Sequence, residues 1–141
     1  MGLDMYIYVY KRLDTFENNK VNEILKVSNK YNIDHIHYTV AYWRKFFALH
    51  YWFVDNVKNG EDDMYNSHKV YIPRNKLYEL KNLCEQIINN PERASELLPS
   101  PEDHKYDDSY YEYIKYTYSR LENILNEDSF KYSSFYYFSG W

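Results

Sequence analysis

The residues able to do chemistry in this 141-residue chain are a few histidines, one basic pair and a large stock of phenols. His35-Ile36-His37 sets two imidazoles two positions apart. On a strand such a pair points to one side, as paired metal ligands require. A third ligand would have to come from His50, His68, Asp62 or Asp63, and no spacing marks any of them, so neither a metal nor a cofactor is expected. Arg44 and Lys45 stand close to His50 and between Trp43 and Trp52. A guanidinium can grip phosphate bidentately and an indole can stack on a base, so this group outlines a nucleotide site. Tyrosine is the third candidate: Tyr6, Tyr8 and Tyr10 alternate with apolar residues, and such rings either give a contact surface of large area at low entropic cost or pack under helices and in cross-strand pairs.

Other routes to catalysis are thinner. His37-Tyr38-Thr39-Val40 matches half of the signature of the two-histidine phosphoesterases, in which histidine moves a proton and threonine holds a phosphate oxygen. Those enzymes need two copies, and the residues after His50, His68 and His104 do not supply the second. The three glycines, Gly2, Gly60 and Gly140, form no phosphate-cradling loop, and no serine sits in a nucleophile-elbow context. The single cysteine, Cys84, excludes an intrachain disulfide and falls on an apolar helical stripe, where a thiol is inert.

These residues need elements to hold them. Leu3, Met5, Ile7 and Val9 alternate with Asp4, Tyr6, Tyr8 and Tyr10, predicting a strand with an aliphatic face for the core and a phenolic face that tolerates water. Residues 16–31 follow a helical beat, with Val21, Ile24 and Leu25 on the buried side. His35 to Val40 reads as a short strand. Ala41 to Val57 reads as a helix apolar almost all round, carrying Trp43, His50 and Val54 on one stripe and ending near Asn59-Gly60. His68 to Ile72 is a second short strand candidate. Leu77, Leu80, Cys84 and Ile87 make the stripe of a helix opened by Pro73, and a short helix is expected over Glu92 to Leu98. A last helix spans Tyr110 to Leu125 on Ile114, Tyr118, Leu121 and Leu125, and Phe130 to Phe138 is expected to be extended.

The whole is expected to be one α+β domain, residues 1–141: one antiparallel or mixed sheet including the N- and C-terminal strands, with three to four helices packed mainly on one face. If the terminal strands pair, Tyr132 and Tyr136, or else Phe135 and Tyr137, join the tyrosine face. Net charge is -4, which argues against direct nucleic-acid binding. No run of apolar residues is long enough to cross a membrane, and Lys11 and Arg12 follow the first apolar stretch rather than precede it, so a cytoplasmic protein is expected.

The opening Met-Gly-Leu-Asp-Met-Tyr, then Tyr42-Trp43-Arg44-Lys45 followed by His50, Trp52 and Phe53, then Asp62-Asp63 and Glu96-Leu97-Leu98-Pro99, resemble a family of small uncharacterised phage and prophage proteins of low-GC bacteria. Where that family carries a glycine- and phenylalanine-containing loop, this chain has Pro101 to Tyr106, and Met64 replaces a cysteine. The resemblance implies an accessory protein of the host cytoplasm that binds a host protein or defence complex, without catalysis. The expected contact residues are Asp4, Tyr6, Tyr8, Tyr10, Trp43, Arg44, Lys45, His50 and Trp52. A nucleotide or small-molecule binder, or a phosphoesterase-like hydrolase, is the alternative.

Overall fold

A computed structural model of the chain describes residues 2–60, 68–101 and 105–140. The alternation at the N-terminus becomes strand β1 (Asp4–Lys11), with Leu3, Met5, Ile7 and Val9 fully buried and the residues between them half-buried. The other strands are β2 (Ile36–Arg44), β3 (Val70–Ile72) and β4 (Ser134–Gly140). They form one four-stranded sheet in the order β2-β1-β4-β3, and every pairing is antiparallel. The first and last strands are therefore neighbours. On β4, Phe135, Tyr137 and Ser139 turn inward, so Tyr136 and Phe138 are the residues that join the tyrosine face, across from Tyr8 and Tyr6. Of the two expected pairs, only Tyr136 lies there. Tyr132 precedes the strand, and Phe135 and Tyr137 belong to the core.

Five helices complete the described chain: α1 (Thr15–Leu25), α2 (Phe47–Asn56), α3 (Arg74–Asn89), α4 (Ala94–Leu97) and α5 (Asp108–Leu125). Leu77, Leu80, Cys84 and Ile87 of α3 are buried as their spacing requires. So are Ile114, Leu121 and Leu125 of α5, while Tyr118 is half-buried. With Ala48, Leu49 and Phe53 of α2 they form one hydrophobic cluster with the aliphatic face of β1. Antiparallel sheets commonly bury one face in this way and leave the other to solvent.

The segment from Ala41 onward departs from expectation. Trp43 and Arg44 lie on β2, not on a helix, and α2 begins at Phe47. Between them Lys45 adopts a left-handed backbone, φ 57°, while its N–H donates to the Leu3 carbonyl at 2.7 Å. A segment dense in apolar residues fits a buried strand and a buried helix equally well, which is why periodicity did not separate them. Within β2 the register passes from Ile7–Ala41 to Tyr8–Thr39, leaving Val40 as an extra residue. That bulge changes which residues face the core: His37 and Thr39 share a side with Tyr10 and Tyr8, whereas beyond it Tyr42 and Arg44 do, and Val40, Ala41 and Trp43 are buried.

The outer edge of β2 is met by α5. Arg120 Nε donates to the Val40 carbonyl at 2.9 Å, the Tyr42 N–H donates to the Tyr116 hydroxyl at 3.1 Å, and the Arg44 N–H donates to the Tyr113 hydroxyl at 3.2 Å. Residues spaced by three and four share one side of a helix, so 113, 116 and 120 can track along a strand. Their contacts cover an edge that would otherwise invite pairing with another chain. Beneath it, the Trp43 indole donates to Thr117 Oγ1 at 2.9 Å.

Helix α1 also differs from its periodicity. Asp14 and Glu17 form a reciprocal capping box at its start. Its buried residues are Asn18 and Asn22, which hold the returning chain: the Asn22 side-chain amide donates to the Tyr31 carbonyl at 2.8 Å, and the Ile33 N–H donates to Asn18 Oδ1. Ile24 and Leu25, expected inside, stand exposed, Ile24 by 70%. Two amide side chains that complete a loop have won the inner side of this helix.

Trp43 thus joins the core to both the sheet and α5. Trp43→Ala is expected to cost about 3–5 kcal/mol by emptying a large buried site. A urea titration of the variant, showing a lower midpoint than the parent, checks this. An unchanged midpoint would mean that the indole is not a packing element.

Candidate functional site

The sheet face away from the core collects aromatic residues from all four strands. β1 supplies Tyr6, Tyr8 and Tyr10; β2 supplies His37 and Tyr42; β3 supplies Tyr71; β4 supplies Tyr136 and Phe138. Tyr71 is 54% exposed and Tyr42 41%. Among the described residues, the rings that contact Tyr6, Tyr8 and Tyr10 belong to the sheet or to His35, which directly precedes β2, and none belongs to a helix.

The rings do not lie flat. Tyr6 and Tyr8 are nearly parallel, 7° apart with centroids 5.5 Å apart, and Tyr8 stacks in turn on His37 at 5.2 Å. Tyr10 meets Tyr136 edge-on at 5.0 Å and His37 edge-on at 5.5 Å. Rings stacked along a strand occupy one another's faces and leave mainly edges and hydroxyls for an incoming molecule. Cross-strand aromatic contacts of this type contribute roughly 0.2–1 kcal/mol each.

Charge is placed around the rings. The Tyr42 hydroxyl donates to Asp4 Oδ1 at 2.7 Å, and that bond holds the phenol above its usual pKa. The Lys69 ammonium sits 5.1 Å from the centroids of both Tyr8 and Tyr10 and donates to the Tyr10 hydroxyl. Ammonium over an aromatic face is an attractive cation–π arrangement. Burial raises the Tyr8 pKa, the Tyr6 phenol adds to the rise, and the Lys69 charge opposes it. Lys69 carries no sequence signal of its own. Only the β3–β4 pairing brings it to β1.

The nine residues expected to form a site do not come together. Asp4, Tyr6, Tyr8, Tyr10 and Arg44 share the open sheet face, and exposed Lys45 lies at the end of β2, beside the start of α2. Trp43 and His50 are fully buried and cannot touch a ligand in this fold. His50 Nδ1 is 2.7 Å from the Tyr137 hydroxyl, so it is a core histidine with a phenol partner. Trp52 is half-buried against the core. Arg44 and Lys45 line a cleft of about 300 Å³ with Lys105, Asp107 and Tyr113, without either indole. The nucleotide site outlined by Arg44, Lys45, His50 and the tryptophans is therefore not assembled.

His35 and His37 both contact the Tyr10 ring, and among the described residues no three His, Cys, Asp or Glu side chains are grouped to hold a metal ion. The ligand candidates Asp62 and Asp63 and the Met64 position lie outside the described residues, as do 102–104. Among the described residues no helix is long and apolar enough to cross a membrane. Comparison with family models, curated proteins and solved structures finds no match to this chain.

Folding raises the pKa of one thiol and two phenols of the helices. Burial pushes the Cys84 thiol up to about 12 and raises Tyr110, while a bond to Glu122 raises Tyr118. Each group is held neutral by the fold, so its stabilising share is complete below its ordinary value, near 9 for the thiol and 10 for the phenols, and is lost as pH climbs through the folded value. The melting temperature is expected to decline above about pH 9, and less steeply in Cys84→Ala. Cys84 should also resist a thiol reagent at about pH 8 until the chain unfolds. Scanning calorimetry across pH and a thiol titration in and out of denaturant check both. Rapid native labelling would contradict the buried thiol.

Proposed function

We propose that this chain is a non-catalytic binding protein whose tyrosine-covered sheet face is the contact surface for a protein partner. The supporting observation is that face itself: phenols from four strands, fixed by mutual stacking and touched by no aromatic ring of a described helix. Phenols ordered before a partner arrives lose little entropy on binding, and tyrosine is enriched in protein contact surfaces. Asp4, Arg44 and Lys69 among the rings supply both signs of charge for orientation.

A sheet open on one side and covered with aromatics also invites comparison with single-strand nucleic-acid binders, in which bases stack on exposed ring faces. Here Tyr6, Tyr8 and His37 stack on one another, so their faces are occupied. With a net charge of -4, the edge-on array favours protein. The resemblance to phage accessory proteins directs the choice of partner towards a host defence complex, which the protein would inhibit by occupying it in the host cytoplasm.

Tyr42→Ser with Tyr71→Ser changes the two most exposed phenols of the face and spares the centre of the stack. The double variant should keep its circular-dichroism spectrum and melt within a few degrees of the parent, because exposed cross-strand pairs contribute little. It should lose the proteins that the parent retains from bacterial lysate, identified by mass spectrometry. Expression of the parent, but not of the variant, should raise phage plating on a host with an active defence system. Retention of the same proteins by both forms would remove the sheet face from the function. Retention without any change in plating would remove the defence role alone.

A further inference from the structure

Where β1 leaves the sheet and β4 enters it lies a groove of about 830 Å³. Its walls come from segments far apart in sequence: the end of β1 at Tyr10, Lys11 and Arg12, His35 ahead of β2, Lys69 ahead of β3, and the chain from Asp128 to Tyr136. The volume is in the range of small-molecule sites, which run from roughly 300 to 1,000 Å³. It is also well over twice that of the cleft beside Arg44 and Lys45, about 300 Å³.

The lining is cationic, although the protein is acidic. Lys11, Arg12 and Lys69 stand against one carboxylate, Asp128. Lys11 is partly engaged, 3.5 Å from Glu17. Lys69 is held by phenols instead of an acid: it donates to the Tyr10 hydroxyl and lies over the Tyr8 and Tyr10 rings, and no described carboxylate forms an ion pair with it. Arg12 is exposed, and none of the described carboxylates pairs with it. A guanidinium and an ammonium lining one groove, together with Ser133 and Ser134, are the residue types that bind the oxygens of a phosphate.

The same groove offers apolar walls for a ring. Tyr10 and Tyr136 meet edge-on at 5.0 Å and form a fixed corner. Tyr132, at the mouth, is 92% exposed, and its described ring contact is the Lys131 ammonium, 5.5 Å from its centroid. An aromatic side chain so far out of the core has a face available for stacking on a planar ligand, unlike the mutually occupied rings of the sheet.

We infer that this groove is a binding site for a small phosphorylated aromatic ligand of the nucleotide class, with Arg12 and Lys69 holding the phosphate and Tyr132 closing over the base. The site lies at the end of β1 and uses none of the Arg44, His50 and tryptophan group. It shares Tyr10, Tyr136 and Lys69 with the sheet face, while Arg12 and Tyr132 belong to the groove alone and so separate the two readings.

Calorimetric titration of the full chain at low salt with four probes tests it: adenosine 5′-monophosphate, uridine 5′-monophosphate, adenosine and inorganic phosphate. At least one nucleotide should bind about tenfold or more tightly than adenosine or phosphate alone, and more weakly as salt is added. Arg12→Ala and Lys69→Ala should each weaken it about tenfold, and Tyr132→Ala by about fivefold or more. Arg12 and Tyr132 are exposed, so unchanged melting temperatures for their variants separate loss of the site from loss of the fold. Lys115→Ala, on α5 at the helical side, should bind as the parent does. Absence of heat from both nucleotides at millimolar concentration would overturn the inference. So would phosphate binding as tightly as either nucleotide, or affinity unaltered by Arg12→Ala and Tyr132→Ala.

Discussion

The structure depends on the two-sidedness of β1. Its aliphatic residues, Leu3, Met5, Ile7 and Val9, are fully buried, and each such side chain is worth roughly 1.5–3 kcal/mol over leaving it in water. A slip of one residue would turn the phenols inward and the aliphatics outward, so the register has no near competitor. Because β1 pairs on both sides, it imposes that polarity on β2 and β4. Helices α2, α3, α4 and α5 follow the aliphatic face, and the tyrosines are left on the other side by the same choice.

β2 obeys that polarity only through a defect. Its first half puts odd-numbered residues on the phenolic side and its second half puts even-numbered ones there, and Val40 is the residue that reconciles them. Without the bulge, either Trp43 would leave the core or His37 would enter it. The bulge lies next to the point where Arg120 takes the Val40 carbonyl, and Tyr116 and Tyr113 continue the contact along the strand. The defect, the covered edge and the buried indole therefore form one arrangement between β2 and α5. Its polar contacts are made by side chains 69 to 80 residues away in sequence.

Tyrosine serves two separate purposes here. On α5, and at Tyr137, the hydroxyl completes buried or edge-strand hydrogen bonding, as in the 2.7 Å contact with His50. On the open sheet face it provides edges and hydroxyls to whatever docks there. The same residue type builds the interior and the surface because a phenol is apolar along its ring and polar at its tip. The cations follow a similar division: Lys69 is carried by rings and Arg44 lies across from Asp4, while the net charge of the chain remains negative.

Period-two alternation in β1 and the stripes of α3 and α5 were legible in the sequence, because each is a local pattern that one element satisfies by itself. The α+β class and the pairing of the terminal strands followed from them. That Tyr6, Tyr8 and Tyr10 share one side was legible for the same reason, but whether helices cover that side was not, because alternation names a face without naming what packs on it. The strand character of Trp43 and Arg44 was not, since a segment so dense in apolar residues shows no clear period and the bulge at Val40 shifts its parity. Nor was the inner side of α1, where Asn18 and Asn22 are buried by hydrogen bonds to a loop up to fifteen residues on. The groove at the end of β1 was beyond any sequence reading, because Arg12, Lys69 and Tyr132 meet only through strand order. Local patterns determined which surfaces each element has; tertiary pairing alone decided which of them meet, because contacts between distant residues leave no periodic trace in the chain.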